Sequence, residues 1–76
     1  MRALTAVFIS AKEGGYTCWF EEIPEAISEG GTLEEAKTNL LQALDIVLEY
    51  RREKVEKELH KRKITFKTES MLLVGC

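Results

Sequence analysis

Cysteine, histidine, proline and aspartate are all scarce in this 76-residue chain, which has two Cys, one His, one Pro and a single Asp, Asp45. Cys18, inside a strand-like run, and Cys76, the last residue, make no disulfide framework, and with His60 as the one imidazole they make no metal-ligating set. No apolar run exceeds four residues, Ala6 to Ile9 being one of them, whereas a membrane-spanning helix needs about 20. The start, Met1-Arg2-Ala3-Leu4, opens no extended apolar stretch with a small-residue cleavage site. No signal peptide is read, and the cytoplasm is the expected compartment.

The same scarcity bears on catalysis. Two-metal hydrolysis needs several carboxylates converging from different elements on ions about 3.5–4 Å apart. Here the one Asp lies in an apolar helical stretch, and Glu21, Glu22 and Glu25 cluster on one turn, where surface charge is the ordinary outcome. His60 sits in Leu59-His60-Lys61-Arg62 with no neighbouring nucleophile. Cys18, beside Trp19, reads as a small buried hydrophobe rather than a thiolate. No Gly-rich phosphate loop with its Lys is present. The expectation is a protein that is no enzyme and carries neither cofactor nor metal.

What is present suits one small domain over residues 1–76. The chain is 45% hydrophobic and 32% charged, too apolar for a disordered tail. A domain this short buries only about 60% of its unfolded surface, so a core shared within a homodimer is expected. The formal charge of −2 is unevenly spread: residues 1–50 sum to −6, residues 51–63 to +4, and residues 64–76 to zero. An acidic body suits a basic partner, although charges sorted by the helix dipole would give a similar pattern.

Arg2 to Ala11 is expected as a strand, apolar on both parities: Leu4, Ala6 and Phe8 on one, Ala3, Val7 and Ile9 on the other. Such a strand is central or covered twice. Lys12-Glu13-Gly14-Gly15 is a turn, and Tyr16 to Glu21 is the return strand of a hairpin. Pro24 breaks the pattern, and Ala26 to Glu29 reads as a short third strand before Gly30-Gly31. Thr32-Leu33-Glu34-Glu35 has capping-box spacing, with the Thr32 hydroxyl accepting from the N–H of Glu35 and the Glu35 carboxylate reaching back to the N–H of Thr32.

The helix so opened is predicted from about Leu33 to about Lys61, roughly 43 Å long. Leu33, Ala36, Leu40, Ala43, Leu44, Val47 and Leu48 form its sheet-facing stripe. Beyond Tyr50 the stripe narrows to Val55 and Leu59, so the distal part projects past the sheet or packs on a second subunit. Glu53–Lys57 and Glu58–Arg62 have favourable i,i+4 spacing. Met71 to Val74 reads as a last strand. The predicted class is α+β, β-β-β-α-β: a small antiparallel-type sheet with one long helix on one face. The other face also carries apolar side chains, and a homodimer is the simplest cover.

From Gly15-Tyr16 through Phe20, then Ile23-Pro24-Glu25-Ala26-Ile27-Ser28-Glu29-Gly30-Gly31-Thr32-Leu33-Glu34-Glu35-Ala36, and on to Asn39, Ala43 and Leu44, the chain resembles the HicB-like antitoxins, the small partners of HicA-type toxins. The shared pattern is a G-Y hairpin, a proline turn, then S-x-G-x-T-x-E-E-A opening the helix. The likeness covers roughly residues 4–50. Pro24-Glu25-Ala26 stands where that family usually has Pro-Gly followed by Cys or a small residue, so the local turn differs. Many members add a C-terminal DNA-binding segment. The sequence here stops at Cys76, so operator binding is not expected.

The resemblance implies a single HicB-like domain with a cut-down RNase H-like arrangement, and an antitoxin role. The partner would be a small basic RNA-cleaving toxin whose active site is covered. Independently of the family pattern, the candidates for that contact are Trp19 and Phe20 as an aromatic anchor with Glu21, Glu22, Glu25 and Glu29 as the acidic surround. Two alternatives remain open. One is an orphan dimeric interaction or scaffold protein of the same fold. The other is nucleic-acid contact through Arg51, Arg52, Lys54, Lys57, Lys61 and Arg62, a basic run interleaved with Glu53, Glu56 and Glu58 and lacking aromatics after Tyr50.

Overall fold

A computed structural model describes residues 3–71. Three strands, β1 (Ala6–Ser10), β2 (Tyr16–Phe20) and β3 (Ile27–Gly30), are followed by one helix, α1 (Leu33–Lys61). The strands form an antiparallel meander in the order β1-β2-β3. Phe8 pairs with Cys18 and Cys18 with Ser28, while Val7 pairs with Trp19 and Trp19 with Ile27. This is the predicted α+β arrangement as far as it is described. The expected fourth strand, Met71 to Val74, falls on residues outside those described, apart from Met71. Among the described residues β1 lies at an edge and β2 in the middle. The two-sided apolar pattern of β1 therefore does not mark a strand flanked on both sides there.

The turns follow from local chemistry. Gly14 and Gly15 take φ of +97° and +84°, a region that favours glycine. The Gly14 N–H donates to the Ala11 carbonyl at 3.1 Å and the Ala11 N–H to the Gly15 carbonyl at 3.0 Å, closing the hairpin. After β2 the chain makes two short reversals, Ile23 N–H to Phe20 carbonyl (3.2 Å) and Ala26 N–H to Ile23 carbonyl (3.0 Å), around Pro24.

Helix α1 starts as its spacing predicts, with one difference. The Glu35 N–H donates to the Thr32 hydroxyl at 3.1 Å. The Glu35 carboxylate, however, accepts from the N–H of Gly31 at 3.0 Å, one residue earlier than a strict capping box requires. The helix ends at Lys61 with a Schellman arrangement. The N–H of Ile64 reaches the Leu59 carbonyl and that of Lys63 the His60 carbonyl, both at 3.0 Å, and Lys63 takes φ +59°, the left-handed conformation such an ending needs.

The core lies between the sheet and the first half of α1. Cys18, Phe20, Ala26, Ala36 and Leu40 are buried, and Ala6, Phe8, Tyr16, Ile23, Leu44 and Val47 pack around them half-buried. Two close approaches set the helix height. A Cβ at Gly30 would come 2.5 Å from the Ala36 nitrogen, so the absence of a side chain there lets the first turn sit on β3. The Cys18 Sγ is within donating reach of the carbonyls of Ala36 (3.5 Å) and Ser28 (3.6 Å). The backbone of α1 lies over β3 and β2 and stays clear of β1. Leu33 and Leu48, expected in the buried stripe, are 37% and 45% exposed. Leu33 stands in the first turn, and Leu48 turns to the flank as the helix leaves the sheet. The distal helix projects, giving extents of 51 × 32 × 16 Å and a radius of gyration of 16.1 Å, against about 11 Å for a compact chain of this length.

Candidate partner-binding surface

Strand pairing sorts the sheet side chains cleanly. Phe8, Cys18, Phe20 and Ser28 face the helix, whereas Val7, Ile9, Thr17, Trp19, Ile27 and Glu29 face the other way. That second face has no covering layer among the described residues. At its centre Val7, Trp19 and Ile27 form a cross-strand row. Trp19 is half-buried by its neighbours, while Ile9 and Ile27 are 53% and 57% exposed. Cross-strand aromatic and β-branched neighbours stiffen such a row, so it offers a preformed apolar surface with a Trp at its middle.

The expected aromatic pair is thereby split. Phe20 is buried against the helix at 7% exposure, so it is core and not available as an anchor, because alternate residues of a strand point to opposite faces. Trp19 lies on the opposite, open face. Among the acids, Glu29 follows Ile27 on the open face opposite Thr17. Glu21, also exposed, continues the Thr17–Trp19 parity beyond the strand, where its N–H donates to the Thr5 carbonyl at 2.8 Å. These two rim the apolar row.

Glu22 and Glu25 do other work. The Glu22 carboxylate accepts the Thr5 N–H at 2.7 Å, and this backbone hydrogen bond holds its pKa below the ordinary carboxylate value. Glu25 is ion-paired with Arg51, which lowers its pKa through the guanidinium hydrogen bond and ties the Pro24 turn to the middle of α1. Both carboxylates remain exposed, but they are committed to intramolecular partners.

The basic candidates on α1 are divided in the same way. Arg51 holds Glu25, and Arg52 pairs with Glu49 and with Glu56. The bond to Glu49 raises the Arg52 pKa and lowers that of Glu49. Lys54, Lys57, Lys61 and Arg62 form no ion pair among the described residues. The Glu53–Lys57 and Glu58–Arg62 pairs anticipated from spacing are absent from the same set, because spacing brings two side chains within reach without fixing their rotamers. Arg52 instead has Glu49 at i−3 and Glu56 at i+4 on either side.

No group of three potential metal-ligating side chains occurs among the described residues, and no helix among them is long and apolar enough to cross a membrane. The Cys18 thiol is buried, with its pKa pushed up by burial, so it is held as a neutral core group. A shallow hollow of about 590 Å³ lies beside the glycine turns, with Glu35 and Glu29 in its wall. The Glu35 carboxylate there is occupied by the Gly31 N–H.

Ile27 is the surface residue that sequence reasoning left unassigned. Its signal lay in the alternation Ile27/Glu29 against Ser28/Gly30, which is legible only once the register with β2 is known.

Against known proteins, no family model and no solved structure matches this chain. A protein of Synechocystis sp., UPF0150 protein ssl0738, is 39% identical over 56 residues, covering 74% of this chain and 78% of its own. At that identity and coverage, the chain belongs to the UPF0150 family.

Proposed function

We propose that this protein is an antitoxin-like binding module of HicB type, which neutralises a small basic RNA-cleaving toxin by covering its active site with the open face of the sheet. The observation that carries the reading is the row Val7–Trp19–Ile27, which no described residue covers, with Glu29 and Glu21 at its rim. A central Trp surrounded by aliphatic groups is the composition of an interface hot spot. The carboxylates and the −6 charge of residues 1–50 favour a cationic partner and exclude anionic competitors. The sequence likeness to HicB-like antitoxins over residues 4–50 supplies the class of that partner. The basic run on α1 is the weaker binding surface, since two of its six members, Arg51 and Arg52, are already paired with carboxylates.

The test is inhibition of RNA cleavage by a HicA-type protein encoded beside this chain. Equimolar wild-type protein should stop cleavage. Trp19→Ala should raise the half-inhibitory concentration by about tenfold or more while retaining the circular dichroism of the wild type. Cleavage that continues at equimolar protein would leave an orphan scaffold of the same fold. Binding to random oligonucleotides that falls steeply with salt would move the function to the basic helix end.

A further inference from the structure

Helix α1 carries a second apolar strip, separate from the sheet face, that stays exposed among the described residues. Leu41, Leu48 and Val55 are 62%, 45% and 59% exposed, and they recur at intervals of seven residues. That interval returns to the same side of a helix with a drift of only about 20° per repeat, which a paired helix absorbs by supercoiling. The strip lies on the flank toward β1. On the opposite flank the Asn39 amide donates to the Glu29 carbonyl of β3 at 2.9 Å, while the helix backbone stays clear of β1. Leu44, beside the strip, reaches the core. Farther along, Val55 and Leu59 line a groove of about 550 Å³ whose other wall is Phe66 to Glu69.

Charge selects the occupant. Within α1, residues 33–50 sum to −3, with Glu34, Glu35, Asp45 and Glu49 against Lys37, whereas residues 51–61 sum to +2. A second copy laid parallel would set like charge against like. Laid antiparallel about a two-fold axis at Leu48, it brings the basic half of each helix beside the acidic half of the other.

We infer that two copies of this chain pair through this flank as an antiparallel helix–helix dimer. Leu48 meets its own symmetry mate, and Leu41 of each copy enters the Val55–Leu59 groove of the other. The isologous contact is self-complementary, as a two-fold interface must be. It leaves the face bearing Trp19 free.

The test uses the full chain with Cys76→Ser, so that, with Cys18 buried, the added thiols are the ones that report. Light scattering should give a dimer mass at about 100 µM that falls on dilution. Leu48→Lys places two ammonium groups against each other on the axis and should weaken the dimer about a hundredfold, with unchanged circular dichroism because Leu48 is outside the core. Mixing Leu41→Cys with Val55→Cys should yield a mixed disulfide, and Leu41→Cys alone should yield little. A monomer at every concentration overturns the inference, as does a dimer indifferent to Leu48→Lys. Preferred Leu41–Leu41 crosslinks overturn the orientation on which the charge argument rests. If the full chain is monomeric and a chain ending at Glu69 dimerises, the chain's own last residues occupy the strip and the inference fails.

Discussion

At the scale of single residues, the sharpest contrast is between two adjacent glycines. Gly30 has the helix backbone where its side chain would be, with the Ala36 nitrogen 2.5 Å and the Ala36 Cα 2.9 Å from an added Cβ. Backbone cannot rotate aside as a side chain does, so Gly30→Ala must lift the helix off β3. A loss of about 2–4 kcal/mol is expected in urea denaturation. At Gly31 an added Cβ meets only the Glu35 carboxylate, at 3.9 Å, so Gly31→Ala should stay within about 0.5 kcal/mol of wild type. Equal losses at the two positions would contradict the proposed helix height.

Titration is also a residue-scale matter. Glu22, Glu25 and Glu49 have pKa values lowered by the Thr5 N–H, Arg51 and Arg52 respectively. A carboxylate whose folded pKa is depressed contributes stability above its unfolded value, about 4.3, and that contribution is lost as pH falls through the folded value. Stability should therefore be flat from neutral pH down to about 5 and decline below it. Glu22→Gln should flatten part of that acid limb, as read from urea midpoints across pH. The effect is small because all three groups are exposed and screened by solvent.

At the scale of elements, α1 is a helix whose two ends are built differently. Its start is over-determined: the Thr32 cap, the Glu35 carboxylate on Gly31, and acidic residues in the first turn all favour the same boundary. Its end is under-built, because Lys63 occupies the left-handed position of the Schellman turn at φ +59°, where a side chain costs about 1 kcal/mol. Lys63→Gly should stabilise the protein by about 0.5–1 kcal/mol, seen as a higher denaturation midpoint. A lower midpoint would mean that the turn does not take this form in solution. The returning segment also packs, with the Phe66 ring meeting His60 edge-to-face at 5.0 Å. The distal helix is thus not bare.

At the scale of the whole molecule, the two proposed surfaces are distinct, one on the open face of the sheet and the other on the flank of α1. The sheet presents Trp19 away from the helix, and the helix presents Leu41, Leu48 and Val55 on its flank. If the two surfaces share no residue, substitutions in them should behave additively. Leu48→Lys should make the protein monomeric while changing its affinity per chain for a toxin by less than about twofold. Trp19→Ala should do the reverse. Paired calorimetry and light scattering on both variants check this. Loss of both properties in either variant would mean that the two surfaces are one.

Much of this protein was determined by the sequence alone. Thr32 with Glu35 placed the helix start, glycine at 14 and 15 the hairpin, Pro24 the end of β2, and the uninterrupted run to Lys61 the helix end. These are local effects, decided by hydrogen bonds and torsions within a few residues. Glu22, Glu25, Arg51 and Arg52 were equally legible as charged groups, but their intramolecular partners were not, since Thr5 and Glu22 or Glu25 and Arg51 meet only after folding. Tertiary structure decided that Phe20 is core and Trp19 surface, that Gly30 is needed for a close approach and Gly31 is not, and that the Leu41–Leu48–Val55 strip stays exposed among the described residues. Those outcomes depend on which face of the sheet the helix covers and where along the helix the sheet ends. Both are set by contacts between residues far apart in the chain, to which periodicity within a single element is blind.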